Sequence, residues 1–215
     1  VIYYTNDKHA ETPVKKFKKI NSAEIPVLFF DDSKEKITTK ISVEVKLSER
    51  ILKGKNLIAE VDNGKENTII IGAHYDHLGW GGEGSLYKGE PAIHNGADDN
   101  ASGTAGILEL ARIYSKSKYD NYNYLFIAFS GEEKGLLGSN AFAKSDLLNP
   151  DKINYMVNMD MIGRLNEEGK IAIYGTGTSP RWDSLLEENR CKNITITTTK
   201  SGIGPSDHTS FYLQD

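Results

Sequence analysis

Cysteine occurs once in 215 residues, at Cys191. That excludes an internal disulfide and any cysteine-rich zinc finger. No apolar run approaches the ~18 residues that would suggest a membrane-spanning helix. Cations do not dominate: 26 Lys and Arg stand against 30 Asp and Glu, for a net charge of −4. With no basic cluster, this balance argues against nucleic acid or an anionic membrane as the main partner. Neither a GxSxG elbow nor an HExxH helix occurs, which argues against the serine hydrolases and helix-borne zinc peptidases that use them. There is no internal repeat, and Gly175-Thr176-Gly177 is too sparse for a dinucleotide fingerprint. The chain opens on Val1 with no basic start and apolar stretch of a signal peptide behind it, so the compartment is not written there. Hydrophobic residues at 38% and charged residues at 26% are a globular balance with material for a core. A metal site, if present, must be built from His, Asp and Glu.

Residues 1–50 differ in character from the rest. Val1–Tyr4 and Pro26–Phe30 read as short buried strands, with a lysine-rich helix over Val14–Lys19 between them. Ile41, Val43, Val45 and Leu47 alternate with polar residues, as in a half-buried strand. Leu57–Val61 is another strand, closed by the turn Asp62-Asn63-Gly64. From there strands alternate with helices. Strands are expected at Thr68–Ile71, Tyr124–Phe129, Tyr155–Met159, Ile171–Tyr174 and Ile194–Thr198. Helices are expected over Ser102–Tyr114, over Leu136–Lys144 and from Ser179-Pro180 to Leu186. Apolar strands alternating with helices imply an α/β fold, a mostly parallel central sheet flanked by helices on both faces.

In such a sheet, ligands bind beyond the carboxyl ends of the strands. Those ends carry His74-Tyr75-Asp76, Ser130-Gly131-Glu132-Glu133, Asn158-Met159-Asp160 and Ser206-Asp207-His208, and a glycine-rich loop carries Ala97-Asp98-Asp99-Asn100 into the first helix. Carboxylates that converge without cations repel one another and resist ionisation. A metal pair removes that conflict, and histidine with carboxylate suits zinc or a similar divalent ion.

The motifs Gly72–Asp76, Gly96–Gly103, Ser130–Glu133, Asn158–Asp160 and Ser206–His208, five in order, resemble a known family. It is that of the zinc aminopeptidases related to aminopeptidase S, aminopeptidase Y and glutamate carboxypeptidase. The resemblance covers about residues 55–215 and implies a zinc exopeptidase fold, phosphorylase/hydrolase-like, with two zinc ions per chain. It places Asp99 between the ions, Asp99 being chosen over Asp98 by counting back from Ser102-Gly103. It assigns His74 and Asp160 to one zinc, Glu133 and His208 to the other. Glu132 becomes the general base and Asp76 the residue that orients His74. The implied reaction is hydrolysis of the N-terminal bond of a peptide with a free N-terminus, by a water held between the ions.

The same resemblance divides the chain into a partial protease-associated-like segment at 1–50 and a catalytic domain at 51–215. It implies that the domain continues past His208 with another strand, a pocket loop and a helix. Relatives of this kind are often exported, which suggests an extracytoplasmic location. His77 and His94 read as surface or loop histidines, and Asp207 as a structural residue or one that supports the ligands from behind. Leu78–His94, rich in glycine with Trp80 and Tyr87, reads equally as a surface loop or as a rim beside the site. Two other readings share the fold: a single-zinc aminoacyltransferase like glutaminyl cyclase, and a non-catalytic receptor or scaffold domain.

Overall fold

The computed structural model describes residues 2–5, 28–31, 51–82, 84–116, 118–165 and 167–214. The chain divides into two compact units, Val1–Ile51 and Leu52–Asp215. In the first, strands β1 (Ile2–Thr5) and β2 (Leu28–Asp31) pair in parallel. The helix expected over 14–19, the alternating strand over 41–47 and most of the protease-associated-like segment lie outside the described residues.

The second unit is built on a four-stranded sheet. Its strands are β3 (Leu57–Val61), β4 (Thr68–His74), β5 (Asn123–Phe129) and β6 (Ile153–Asn158), in the order β3-β5-β4-β6. β4 runs parallel to both neighbours, and only β3, at the edge, is antiparallel. Helices α1 (Gly103–Tyr114) and α2 (Leu137–Ala143) follow β4 and β5.

Side-chain alternation decides which helix covers which face. Ile69, Ile71, Ala73, Tyr124, Phe126 and Ala128 pack with Ile107, Leu110, Ala111 and Tyr114 of α1. The intervening Ile70, Leu125, Ile127 and Phe129 pack with Phe142 of α2. Helices therefore cover both faces. Ile70, Ile127 and Phe129 are fully buried, each side chain contributing about 1.5–3 kcal/mol.

Beyond β6 come β7 (Lys170–Tyr174), α3 (Trp182–Glu188), β8 (Thr195–Thr199) and the short α4 (His208–Tyr212). β7 and β8 form their own two-stranded parallel sheet rather than extending the central one, because no described strand pairs between β6 and β7. α3 starts two residues later than its Ser-Pro signal suggests. The Ser179 hydroxyl accepts the N–H of Arg181 at 3.3 Å in a local turn, so the helix proper begins at Trp182. Among the described residues no helix is long and apolar enough to cross a membrane.

Candidate metal centre

Three parallel strands and one turn deliver the site at their carboxyl ends, as expected for an open α/β sheet. β4 ends at His74 and runs on to Asp76 and His77. β5 ends at Phe129, and Gly131, at φ 76°, turns the chain so that Glu132 and Glu133 follow at once. β6 ends at Asn158, two residues before Asp160. The turn Ala97–Ser102 leads into α1 with non-helical backbone at Asp99 and Asn100.

Among the described residues two groups of potential ligands result, His74–Asp99–Asp160 and His77–Asp99–Glu133, the donor atoms in each lying within 4.8 Å of one another. His74 Nε2 is 3.3 Å from Asp99 Oδ1 and 3.4 Å from Asp160 Oδ1. His77 Nδ1 is 2.8 Å from Glu133 Oε1 and 3.7 Å from Asp99 Oδ2. Asp99 thus turns one oxygen to each group. Glu132 belongs to neither; its Oε2 is 4.0 Å from His74 Nε2.

The donor set fits zinc. His74 Nε2, Asp160 Oδ1, His77 Nδ1 and Glu133 Oε1 are all buried without a hydrogen-bond partner. Buried polar atoms left in this state carry a desolvation cost that a shared cation would offset. Imidazole nitrogen and carboxylate oxygen, with no sulfur, are zinc ligands.

Hydrogen bonds hold this arrangement in place. Asp76 faces two ways: its backbone carbonyl is 3.0 Å from His74 Nδ1, and its carboxylate accepts the N–H groups of Glu132 (3.1 Å) and Glu133 (3.3 Å). The expected orienting contact therefore runs mainly through the Asp76 main chain, the carboxylate lying 3.8 Å from His74 Nδ1. Fixing the Nδ1 side leaves Nε2 free to face the ligand group. Asn100, 1% exposed, ties the Asp99 turn to the β6 exit. Its amide donates to the Met159 carbonyl at 3.0 Å, and its Oδ1 accepts the N–H of Gly103 at 3.0 Å and of Met161 at 3.3 Å. Gly103 is required there, since a Cβ would strike the Met159 carbonyl. Asp98 points away from the ligand groups, its Oδ1 accepting the Gly163 N–H at 2.9 Å.

The protonation equilibria reflect this crowding. For His74, burial works against the charged form, but Asp160, Glu132 and the Asp76 carbonyl outweigh it and raise the imidazole to about 9. Burial lifts Glu132 to about 7, with Asp207, Asp160 and Glu133 adding to the rise and His74 opposing it. Burial also tends to raise Asp160, yet the polar influence of nearby His74, Ser206 and His208 holds it below the usual carboxylate value. Asp207, fully buried, is lifted to about 6 by burial. These are shifts of the metal-free protein.

His208, expected on the second zinc, is in neither ligand group. It stands at the first turn of α4 beside Gly204 and Tyr174, its ring 6.2 Å from the tyrosine, and burial lowers its basicity. The histidine that meets Glu133 is His77, which the sequence suggests as a surface or loop histidine and which the structure places in the loop after β4. Its chain position hides this contact, since Glu133 arrives from the next strand, 56 residues on. The loop following His77 folds back beside it: His94 lies 6.1 Å from His77, ring to ring, and its Nε2 is 2.7 Å from Ser85 Oγ. Trp80 and Tyr87 of that loop are exposed.

Comparison with known proteins gives consistent likenesses. The model of peptidase family M28 matches residues 56–215. A probable leucine aminopeptidase from Trichophyton verrucosum is 35% identical over 167 residues, covering 72% of this chain and 42% of its own. A zinc aminopeptidase from Bacillus subtilis superposes with a TM-score of 0.55 at 27% identity, over 74% of this chain and 37% of that one. A glutaminyl cyclase from Bacteroides thetaiotaomicron shares the fold, with a TM-score of 0.57 at 19% identity, over 74% of this chain and 60% of that one. The chain spans about two fifths of the length of the curated relatives it matches.

Proposed function

The chain belongs to peptidase family M28, and from that premise we propose that it is the catalytic part of a zinc aminopeptidase holding two ions. The observation that carries this reading is the division of Asp99, Oδ1 toward His74 and Oδ2 toward His77. A carboxylate facing both groups in this way would suit a site for a pair of divalent cations.

Bound zinc would supply an acidified water and polarise the scissile carbonyl. The remaining work falls to the protein. Glu132, outside both ligand groups but at the edge of the first, takes the proton from the attacking water and returns it to the leaving amine. Asp76 fixes the Glu132 and Glu133 main chain, so that base and ligand keep their relative placement. The choice of an aminopeptidase is supported by the likeness to a leucine aminopeptidase and a zinc aminopeptidase. No side chain needs to bond covalently to the substrate.

The test is hydrolysis of a panel of aminoacyl chromogenic substrates, with and without chelator, beside the same compounds acylated on the amine. Chelator-sensitive release from free-amine substrates alone is expected. Equal cleavage of the acylated compounds contradicts the assignment. One zinc per chain with cyclisation of N-terminal glutamine would instead favour the cyclase reading.

A further inference from the structure

We propose that the loop 78–94 is a fixed ridge that binds the peptide beyond its first residue and favours apolar side chains there, Trp80 and Tyr87 being the contact residues. The assignment rests on the aminopeptidase reading above and goes beyond it by naming a substrate preference and the residues that set it.

Large apolar side chains on this loop face solvent: Trp80 is 69% exposed, Leu86 91% and Tyr87 59%. Such groups gathered on one short segment mark a contact surface, whereas single ones carry no meaning. The loop runs from His77 to the turn bearing Asp99, so both of its ends lie at the candidate metal centre. Three rings lead outward from there. His77 meets Glu133, His94 lies 6.1 Å from His77, and Tyr87 stands edge-on to His94 at 6.3 Å. Those two spacings match roughly three to four residues of an extended chain, at ~3.3 Å each. The outer members stand open to water, which suits a chain laid across them better than one side chain inserted among them.

The ridge is braced from within. Tyr87 donates its N–H to Ser85 Oγ at 3.1 Å, and the same oxygen is 2.7 Å from His94 Nε2. His94 Nδ1 is 3.0 Å from the Ala92 carbonyl, which can only accept. In the neutral ring Nδ1 therefore carries the proton, and Nε2 accepts from the Ser85 hydroxyl. Both imidazole nitrogens are thus committed inside the loop, and His94 serves as a brace. Its backbone N–H closes the neck on the Gly79 carbonyl at 2.6 Å, next to Trp80. Glycine is required at position 81, where φ is 80° and a Cβ would strike the His94 ring. A contact surface set in advance in this way has less order to gain when substrate arrives, so more of the contact energy appears as affinity.

Two leucyl tetrapeptides test the ridge, one continuing with three apolar residues and the other with three glycines. Release of leucine would be followed with the zinc-loaded 215-residue chain and its Trp80→Ala, Tyr87→Ala and Ser85→Ala variants, circular dichroism confirming that each is folded. The wild type should favour the apolar peptide roughly tenfold in kcat/KM, mainly through KM. Each variant should narrow that preference by roughly three- to tenfold, again through KM, Ser85→Ala acting by releasing Tyr87. A binding measurement accompanies the kinetics: in the zinc-loaded Glu132→Gln protein the apolar peptide should shift tryptophan emission to shorter wavelength and saturate. Adding Trp80→Phe should abolish the shift, although Trp182 remains. Folded Trp80 and Tyr87 variants that keep the wild-type preference overturn the ridge while the aminopeptidase reading stands. Equal losses on both peptides, or an emission shift that survives Trp80→Phe, overturn it as well. A wild type that releases leucine from neither peptide contradicts the aminopeptidase reading itself, and this assignment with it.

Discussion

The carboxylate of Asp76 accepts the backbone N–H of Glu132 at 3.1 Å, linking the end of one strand to the loop after its neighbour. The same residue presents its main-chain carbonyl to His74. Asp76 therefore couples His74, the proposed metal ligand, to Glu132, the proposed general base. Asp76→Asn keeps the carbonyl but replaces one accepting oxygen with an amide that cannot accept the Glu133 N–H. The expected result is a ~10–100-fold loss of activity, the usual size for a residue supporting a metal centre. The loss should fall mainly on kcat, with zinc retained. An unchanged kcat in the folded variant contradicts this role.

Asn100 shows how much of the site depends on a residue that never touches a metal. Replacing it with alanine leaves the Met159 carbonyl and the Gly103 and Met161 N–H groups without their partner. Stranding such groups costs roughly 1–3 kcal/mol. Denaturant titration of Asn100→Ala should show a loss of about that size, together with weakened zinc binding as the Asp99 turn loosens. A stability equal to wild type would show that the turn is held some other way.

The fold was legible in the sequence because its core is written in uniformly apolar runs such as Thr68–Ile71 and Tyr124–Phe129, each followed by glycine or serine shortly before an acid or histidine. The loops that converge on the candidate site were legible too: acids and histidines at the carboxyl ends of apolar strands have few structural uses. His77 was not legible. It follows His74 and Asp76 in a loop, and only the packing of β5 against β4 brings Glu133 to it. Asn100 was hidden too, since an asparagine in a glycine-rich turn usually faces water, whereas this one is buried in main-chain contacts. The separate pairing of β7 with β8 depends on register and neighbours that no local pattern records.

Zinc binding should release protons. In the chelated chain His74 titrates at about 9, so near pH 7.5 it is protonated and must lose that proton to bind metal. Calorimetric titration in two buffers of different ionisation heat should give release of about one proton per chain or more. Proton uptake, or none, contradicts the placement of His74.

The same groups fix the sign of the pH dependence of the chelated protein. His74 is raised from 6.5 to about 9, so its stabilising effect is complete below pH 6.5 and lost as pH rises through 9. Glu132, raised from 4.5 to about 7, and Asp207, raised from 3.8 to about 6, act in the same direction, because the fold must bury their charges as they ionise. Thermal melts of the metal-free chain should therefore show stability falling between about pH 5 and 9. Zinc should reduce that slope by neutralising the same charges. A metal-free chain that gains stability over this range contradicts the assigned burial.

In the proposed mechanism Glu132 moves the proton while its neighbours hold metal. Glu132→Gln preserves shape and removes the base, so the direct measurement is zinc content and aminopeptidase turnover in the same preparation. The expected result is full zinc occupancy with turnover reduced ~10²–10⁴-fold, the usual contribution of a general base. Turnover close to wild type in a fully loaded Glu132→Gln protein would contradict it.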